Sequence, residues 1–345
     1  METSADPAVM WPVSPVPGVR FRGLRRPDDY EGMAVASQAV RAAAGRATSV
    51  TTASLALTFE HFVNLDHDRD VLIVERGDRI IGFGRISWRD QVDGDRAFVS
   101  VCALIPEERG QGLGQVMLDW ADRRLTTIAT GLTEPRPAVR SAYTWGDDVH
   151  ATALLSRNGW TEHARGYEMV RPTLANVPDV PLPDGLVVRD VGPDDRRRVW
   201  DASVEAFQDH RIEPELTDLD WQRFIDDERN DPELWLIGFD GDEVAGGVLG
   251  MIDAEENRLE GRLRGVVDEV FTRRAWRRRG LARALVARCL ARLRDHGMTS
   301  ASLGVDGLNP HQALTLYESL GFEIVSTELQ WTKPFRPPEH EDQEP

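Results

Sequence analysis

The chain is poor in the features that usually declare a class at once. It has only two cysteines, Cys102 and Cys289. No apolar run approaches the roughly 20 residues needed to span a bilayer, and no charged start followed by an apolar stretch marks a signal peptide. Two cysteines in segments with an apolar face are expected to be buried thiols, neither a disulfide nor a nucleophile, which points to the reducing cytoplasm. No membrane contact is expected. The eight histidines lack metal-ligand spacing, so no metal is expected, and His61, His67, His210 and His311 read as surface residues. No Gly-Lys-Ser/Thr phosphate loop occurs.

Extended positive charge is also missing. The net charge of −17, with no basic stripe to offset it, excludes a nucleic-acid backbone as partner. Basic residues cluster only at Arg273-Arg274-Ala275-Trp276-Arg277-Arg278-Arg279. Such a spot suits a small polyanion, and an acidic surface is compatible with an amine as second substrate.

What is present is an ordinary globular composition, 41% hydrophobic and 29% charged, on 345 residues. That length accommodates two domains. Residues 1–18 read as an unstructured lead, 173–185 as a proline-rich linker and 336–345 as an acidic tail. Domains are therefore expected at 19–172 and 186–335.

These two halves repeat each other. The segment from Asp70 to Gly82 and that from Glu233 to Gly246 each give an apolar strand, a Gly-Asp turn and a second strand. Their turn glycines, Gly77 and Gly241, lie 164 residues apart. Gly159-Trp160 and Gly321-Phe322 lie 162 apart, as do Pro172 and Pro334, while the glycine loops between lie 168 apart. Offsets this close indicate an ancestral duplication. Each half is expected to run from a helical region (28–62; 194–227) through the hairpin to a third strand (97–104; 264–272). A glycine loop then opens a helix (113–126; 281–296), and in the second half a strand (301–305), a short helix (310–320) and a last strand follow. Leu281, Leu285, Cys289 and Leu293 recur every four residues and give the helix one core-facing side. Trp235 and Trp331 are expected in the core. The fold class is α/β (α+β), two tandem units, each a mixed, mainly antiparallel sheet flanked by helices.

The chemistry is carried by the glycine loops. In the second half Val270-Phe271-Thr272 leads into Arg277-Arg278-Arg279-Gly280-Leu281-Ala282. Free N–H groups and the positive dipole end of the helix make a site for phosphate oxygens, and Gly280 and Ala282 permit close approach. The first half repeats this after Leu104 as Arg109-Gly110-Gln111-Gly112-Leu113-Gly114. That run is Gly-x-Gly-x-Gly, not the dinucleotide fingerprint.

At these residues the chain resembles the GNAT acetyltransferase superfamily, whose signature Arg/Gln-x-x-Gly-x-Gly/Ala both loops fit. The resemblance extends to Asn309-Pro310, Leu316-Tyr317 and Gly321-Phe322, and its tandem form covers residues 19–335. It implies acetyl-CoA as cosubstrate, with pantetheine and acetyl carbonyl held by strand backbone near Val270 and Thr272, and the pyrophosphate cradled by residues 277–282. Asn309 would contact the cosubstrate, though its spacing to Tyr317 is one residue longer than the commonest form. Tyr317 would protonate the leaving thiolate; its other reading is a tyrosine packed on a helix face.

An amine must shed a proton on attack, so a carboxylate at the acceptor side is useful. Several relatives carry the base where Val266 stands here. Asp268 and Glu269 lie on the same strand, and alternation turns only one of two neighbours toward a cleft. Glu269 is favoured, with Asp268 and a water relay as alternatives. The first half has Leu155 in place of Tyr317, Asp147 in place of Asn309 and Val101 in place of Glu269. It is expected to bind acetyl-CoA or merely pack against its twin. The acceptor expected is the primary amine of a small molecule more than of a protein, contacted by residues 207–227 and 253–264. The competing functions are a non-catalytic acyl-CoA-binding or sensing protein and an assembly protein.

Overall fold

The structure, a computed structural model, describes residues 10–46, 50–208, 215–307 and 313–335. The first half contains β1 (Val19–Gly23), α1 (Asp29–Ala43), α2 (Thr52–Glu60), β2 (Val71–Arg76), β3 (Arg79–Asp90) and β4 (Arg96–Leu104). It continues with α3 (Leu113–Gly131), β5 (Ala138–Trp145), α4 (Val149–Arg157) and β6 (Thr161–Arg171). The second half contains β7 (Leu186–Arg189), α5 (Arg196–Phe207), α6 (Asp218–Asp226), β8 (Trp235–Asp240), β9 (Glu243–Met251) and α7 (Ala254–Glu260). Then come β10 (Arg264–Thr272), α8 (Leu281–Asp295), β11 (Ser300–Asp306), α9 (Ala313–Ser319) and β12 (Glu323–Pro334). The expected order is present in both halves, with α7 an addition to the second.

The hairpins form where the sequence placed them. Gly77 and Gly241 take φ of +59° and +56° at the two turns, the left-handed region that a side chain disfavours. On α8, Leu281, Leu285, Cys289 and Leu293 are all buried and pack on β8, β9 and β10. Trp235 and Trp331 are in the core. On the opposite face, α5 packs Val199 and Ala202 against Trp235, Ile237, Phe239 and Phe271. Alternation along β8 thus feeds two cores, one under α8 and one under α5.

All strands join one twelve-stranded sheet, in the order β1-β2-β3-β4-β5-β12-β6-β11-β10-β9-β8-β7. The closing strands trade places. β12 of the second half pairs with β5 of the first, and β6 of the first pairs with β11 of the second. β6 and β12 pair with each other at the centre. Two neighbours are parallel, β4 with β5 and β10 with β11. Each pairing stops early: the last partners are Ser100 with Ala142, and Val266 with Ser302. Beyond those points the strands part, leaving a gap in each half.

Candidate active site

Both gaps lead toward a glycine loop, and the loops are built alike. Arg277 donates from Nε to the Thr272 carbonyl at 2.9 Å, and Arg109 does the same to Leu104 at 3.1 Å. Gly280 and Gly112 each cap a helix with φ of +88°. One position earlier in the motif the halves differ: Gly110 takes φ of +76°, but its counterpart Arg278 takes +63°. An arginine in that region carries a cost of order 1 kcal/mol, borne where an extra charge beside the helix end is useful. In α8 the first helical bond runs from the Ala284 N–H to the Gly280 carbonyl. The earlier N–H groups of the first turn therefore point outward beside exposed Arg278, Arg279 and Gly280. Leu281 sends its side chain into the core and offers only its backbone. Arg277 braces the loop, with a second bond from Nη2 to the Ala206 carbonyl at 3.0 Å. Of the three consecutive arginines, Arg278 and Arg279 are thus the ones that face solvent.

The first-half gap holds a cavity of about 230 Å³ lined by its loop, Leu104, Cys102, Tyr143 and Leu155. Arg109 is ion-paired to Asp148 at 3.0 Å there. Cys102 is a free thiol that opens into this space, so the expectation that both cysteines are buried holds for Cys289 alone. The reason is the parting of β4 from β5, which uncovers a strand position that pattern reading assigns to the core. Burial pushes the Cys289 thiol up to about 12, far from nucleophilic.

A cleft of about 1030 Å³ lies on the α5 face of the second half. Trp200, Phe207 and Phe224 form an aromatic wall; Asp227, Arg229, Asp253, Asp268 and Glu269 supply charge. Asp268 and Glu269 both line it, which corrects the expectation that only one of them can. The cause is a β-bulge: Val267 pairs with Gly250 and Glu269 with Leu249, leaving Asp268 as an extra residue. A bulge turns two neighbours to one side. In the first half β3 and β4 pair without interruption, and Arg85, opposite Val101, lies over the Phe62 ring at 4.3 Å. A cation therefore stands where the second half has carboxylates. Asp268 is exposed to the cleft, yet desolvation by the cleft walls raises its carboxyl, against the pull of Arg229 and Arg223 and with the push of Asp227.

The first half also builds this cleft, a contribution the sequence reading missed. Leu57, Thr58 and Val92 line it. Arg89 of β3 holds Asp220 of α6, His61 holds Asp226 at 2.9 Å, and the Glu215 N–H donates to the Asp90 carbonyl at 2.9 Å. His61 and His67 are half-buried and hydrogen-bonded, not free surface residues: α2 packs on α6 at His61, and His67 reaches back to the Phe59 carbonyl at 2.6 Å. His210 and His311 lie outside the described residues, as does Asn309.

Tyr317, on α9, is buried in the core under α8 with its ring edge-on to Phe322 at 6.0 Å. Desolvation pushes its phenol up to about 12. Among the described residues no group of three or more His, Cys, Asp or Glu is placed to hold a metal, and no helix is long and apolar enough to cross a membrane.

A helix-opening anion loop beside parted parallel strands, with carboxylates on the opposite face of the sheet, defines a CoA-dependent acyltransferase of α/β class. The chain belongs to the acetyltransferase (GNAT) family, whose profile matches residues 38–134 and 197–322, one copy per half. It is 33% identical over 232 residues to a mycothiol acetyltransferase from Salinispora tropica, covering 66% of this chain and 71% of the relative. In fold it is similar to a GCN5-related N-acetyltransferase from Sphaerobacter thermophilus, with a TM-score of 0.72 at 22% identity over 93% of this chain and 97% of that one. A tandem GNAT protein from the clavulanic acid biosynthesis pathway aligns with a TM-score of 0.65 at 17% identity, over 92% of this chain and 98% of that one.

Proposed function

We propose that the second half moves an acetyl group from acetyl-CoA to the primary amine of a small molecule by direct attack. The observation that carries this reading is the bulge in β10, which brings Asp268 and Glu269 to the acceptor cleft beside the point where β10 leaves β11. The residues fit the cosubstrate: outward N–H groups of α8 with Arg278 and Arg279 suit a pyrophosphate, and the gap suits a pantetheine arm. The thioester supplies an electrophilic carbonyl carbon. Glu269 is favoured by the sequence, but Asp268 borders both the cleft and the adjoining cavity at Val266. Asp268 therefore takes the proton the amine sheds as its nitrogen bonds to that carbon, with Glu269 beside it. As the C–S bond breaks, Tyr317 gives its proton to the sulfur. A phenol held up at about 12 stays protonated until needed. The relatives are named for mycothiol; what this chain shares with them supports the reaction class, with a small amine as acceptor.

The test is thiol release from acetyl-CoA across a panel of amines, with mass spectrometry of the products. Acetylated amine and thiol should form in equal amounts. Loss of a positioned base costs ~10²–10⁴ in rate, so Asp268→Asn should slow turnover within that range. Acetyl-CoA binding with no thiol release for any amine would leave the non-catalytic binder as the reading.

A further inference from the structure

Across the gap from Asp268, the same face of the sheet carries a second set of carboxylates. Asp306 on β11 and Glu328 on β12 are both in register with Gly166 on β6, one from each side. Residues in register project from one face, and two strand spacings amount to roughly 9.6 Å. The two carboxyl groups therefore flank a position that has no side chain. A Cβ there would lie 3.9 Å from Glu328 Oε1, so the glutamate already leans over the space. Glu168, two residues along β6, shares the face and is buried. These groups and Ser302 line a cavity of about 360 Å³ that meets the acceptor cleft at Val266 and Asp268.

Among the described residues that line it, the cavity has four carboxylates, Glu168, Asp268, Asp306 and Glu328, and one arginine. Its one lining arginine, Arg46, is committed: it pairs with Glu168 at 3.0 Å and lies 3.8 Å over the Trp145 ring. Arg41 stands farther off on that ring, at 5.8 Å. Desolvation raises Glu328 despite both arginines, as it raises Asp268. An independent sign of a missing ligand is Ser302. It is 1% exposed, and its Oγ has no hydrogen-bond partner among the described residues. A buried hydroxyl left so carries a desolvation cost unless something binds it.

We propose that this cavity receives a second ammonium group of the acceptor, so that the substrates are diamines and longer polyamines. One nitrogen stands at Asp268 and Glu269 to be acetylated; the other is held between Glu328 and Asp306, with Ser302 Oγ as a further acceptor. The assignment rests on the amine reacting at Asp268.

Calorimetry on the full chain, comparing a linear α,ω-diamine with the monoamine of equal length, separates the two ideas because it needs no turnover. The diamine should bind at least tenfold more tightly, and Glu328→Gln should erase most of that advantage while acetyl-CoA affinity is kept. Asp306→Asn gives a second reading of the same difference if Glu328→Gln does not fold. Equal affinity of the two amines for the unsubstituted protein, or an advantage that survives both substitutions, overturns the second subsite. A diamine preference with no acetylation of either amine would instead break the reaction assignment and leave the subsite standing.

Discussion

Arg89 and Asp220 meet across the two halves in a two-pronged ion pair, the guanidinium donating at 2.6 and 3.1 Å to the two carboxylate oxygens. The same aspartate accepts from the Thr217 N–H and hydroxyl, both at 2.8 Å, and so fixes the start of α6. The first half has Val101 where the second has Glu269, yet it positions the helix that walls the proposed acceptor cleft. Burial works to raise Asp220, but the bonds from Arg89 and Thr217 outweigh it and leave the carboxyl below its ordinary value.

Arg89→Met should therefore raise the KM for the amine while leaving the acetyl-CoA affinity unchanged. Removing one partner of a buried pair costs ~3–5 kcal/mol, and the partial exposure of Arg89 puts this case near about 3 kcal/mol. A depressed carboxyl gives stability that is present above its unfolded pKa and lost as pH falls through the folded one. Urea unfolding at a series of pH values should show a constant gap between the two proteins near neutrality. The gap should close in acid, below the unperturbed value of 3.8.

Gly112→Asp and Gly280→Asp divide the halves. Each places a side chain at φ of +88° and a carboxylate beside a proposed phosphate site. Gly280→Asp should abolish turnover and remove acetyl-CoA binding to the second half, read by calorimetry. Gly112→Asp should keep most turnover and lose at most one equivalent of CoA. Loss of turnover in a folded Gly112→Asp protein would move the chemistry to the first half.

Tyr317→Phe keeps the contact with Phe322 and removes the hydroxyl. Turnover should fall by ~10²–10⁴ with acetyl-CoA affinity nearly unchanged. Because the phenol is held at about 12, the unsubstituted enzyme should show no alkaline loss of kcat from this group below roughly pH 11. An alkaline limb near 10 that Tyr317→Phe abolishes would show a phenol in a wetter setting than this one.

Asp268 sets the acid side. A base must be ionised, and desolvation by the cleft walls raises this carboxyl above 3.8. The kcat/KM should fall as pH drops through that raised value, and Asp268→Asn should remove the limb along with most of the rate. If Glu269→Gln removes it instead, the proton goes to Glu269.

The duplication, the loops and the buried stripe of α8 were legible because each is a local pattern repeated at a fixed offset. The bulge was nearly hidden. It contributes one residue to the shift from 164 between turn glycines to 168 between loops, and a shift does not say which face a side chain takes. The pairing of β6 with β11 could not be read, since similarity between the halves is silent about which copy a strand joins. Leu57, Thr58 and Val92 at the cleft were missed for the same reason: they are ordinary apolar residues given meaning by long-range packing.

The trading of β6 and β12 makes the chain a single folding problem. A cut within residues 173–185 would leave two fragments, one lacking the partner strand behind β5 and the other the partner strand behind β11, and each would expose a row of unpaired peptide groups. Neither fragment has a finished sheet until it finds the other. Neither half can therefore be discarded the way an appended domain can, because each owns a rib of its twin. The duplicated ancestor, once it had exchanged those strands, had bound each copy to the other.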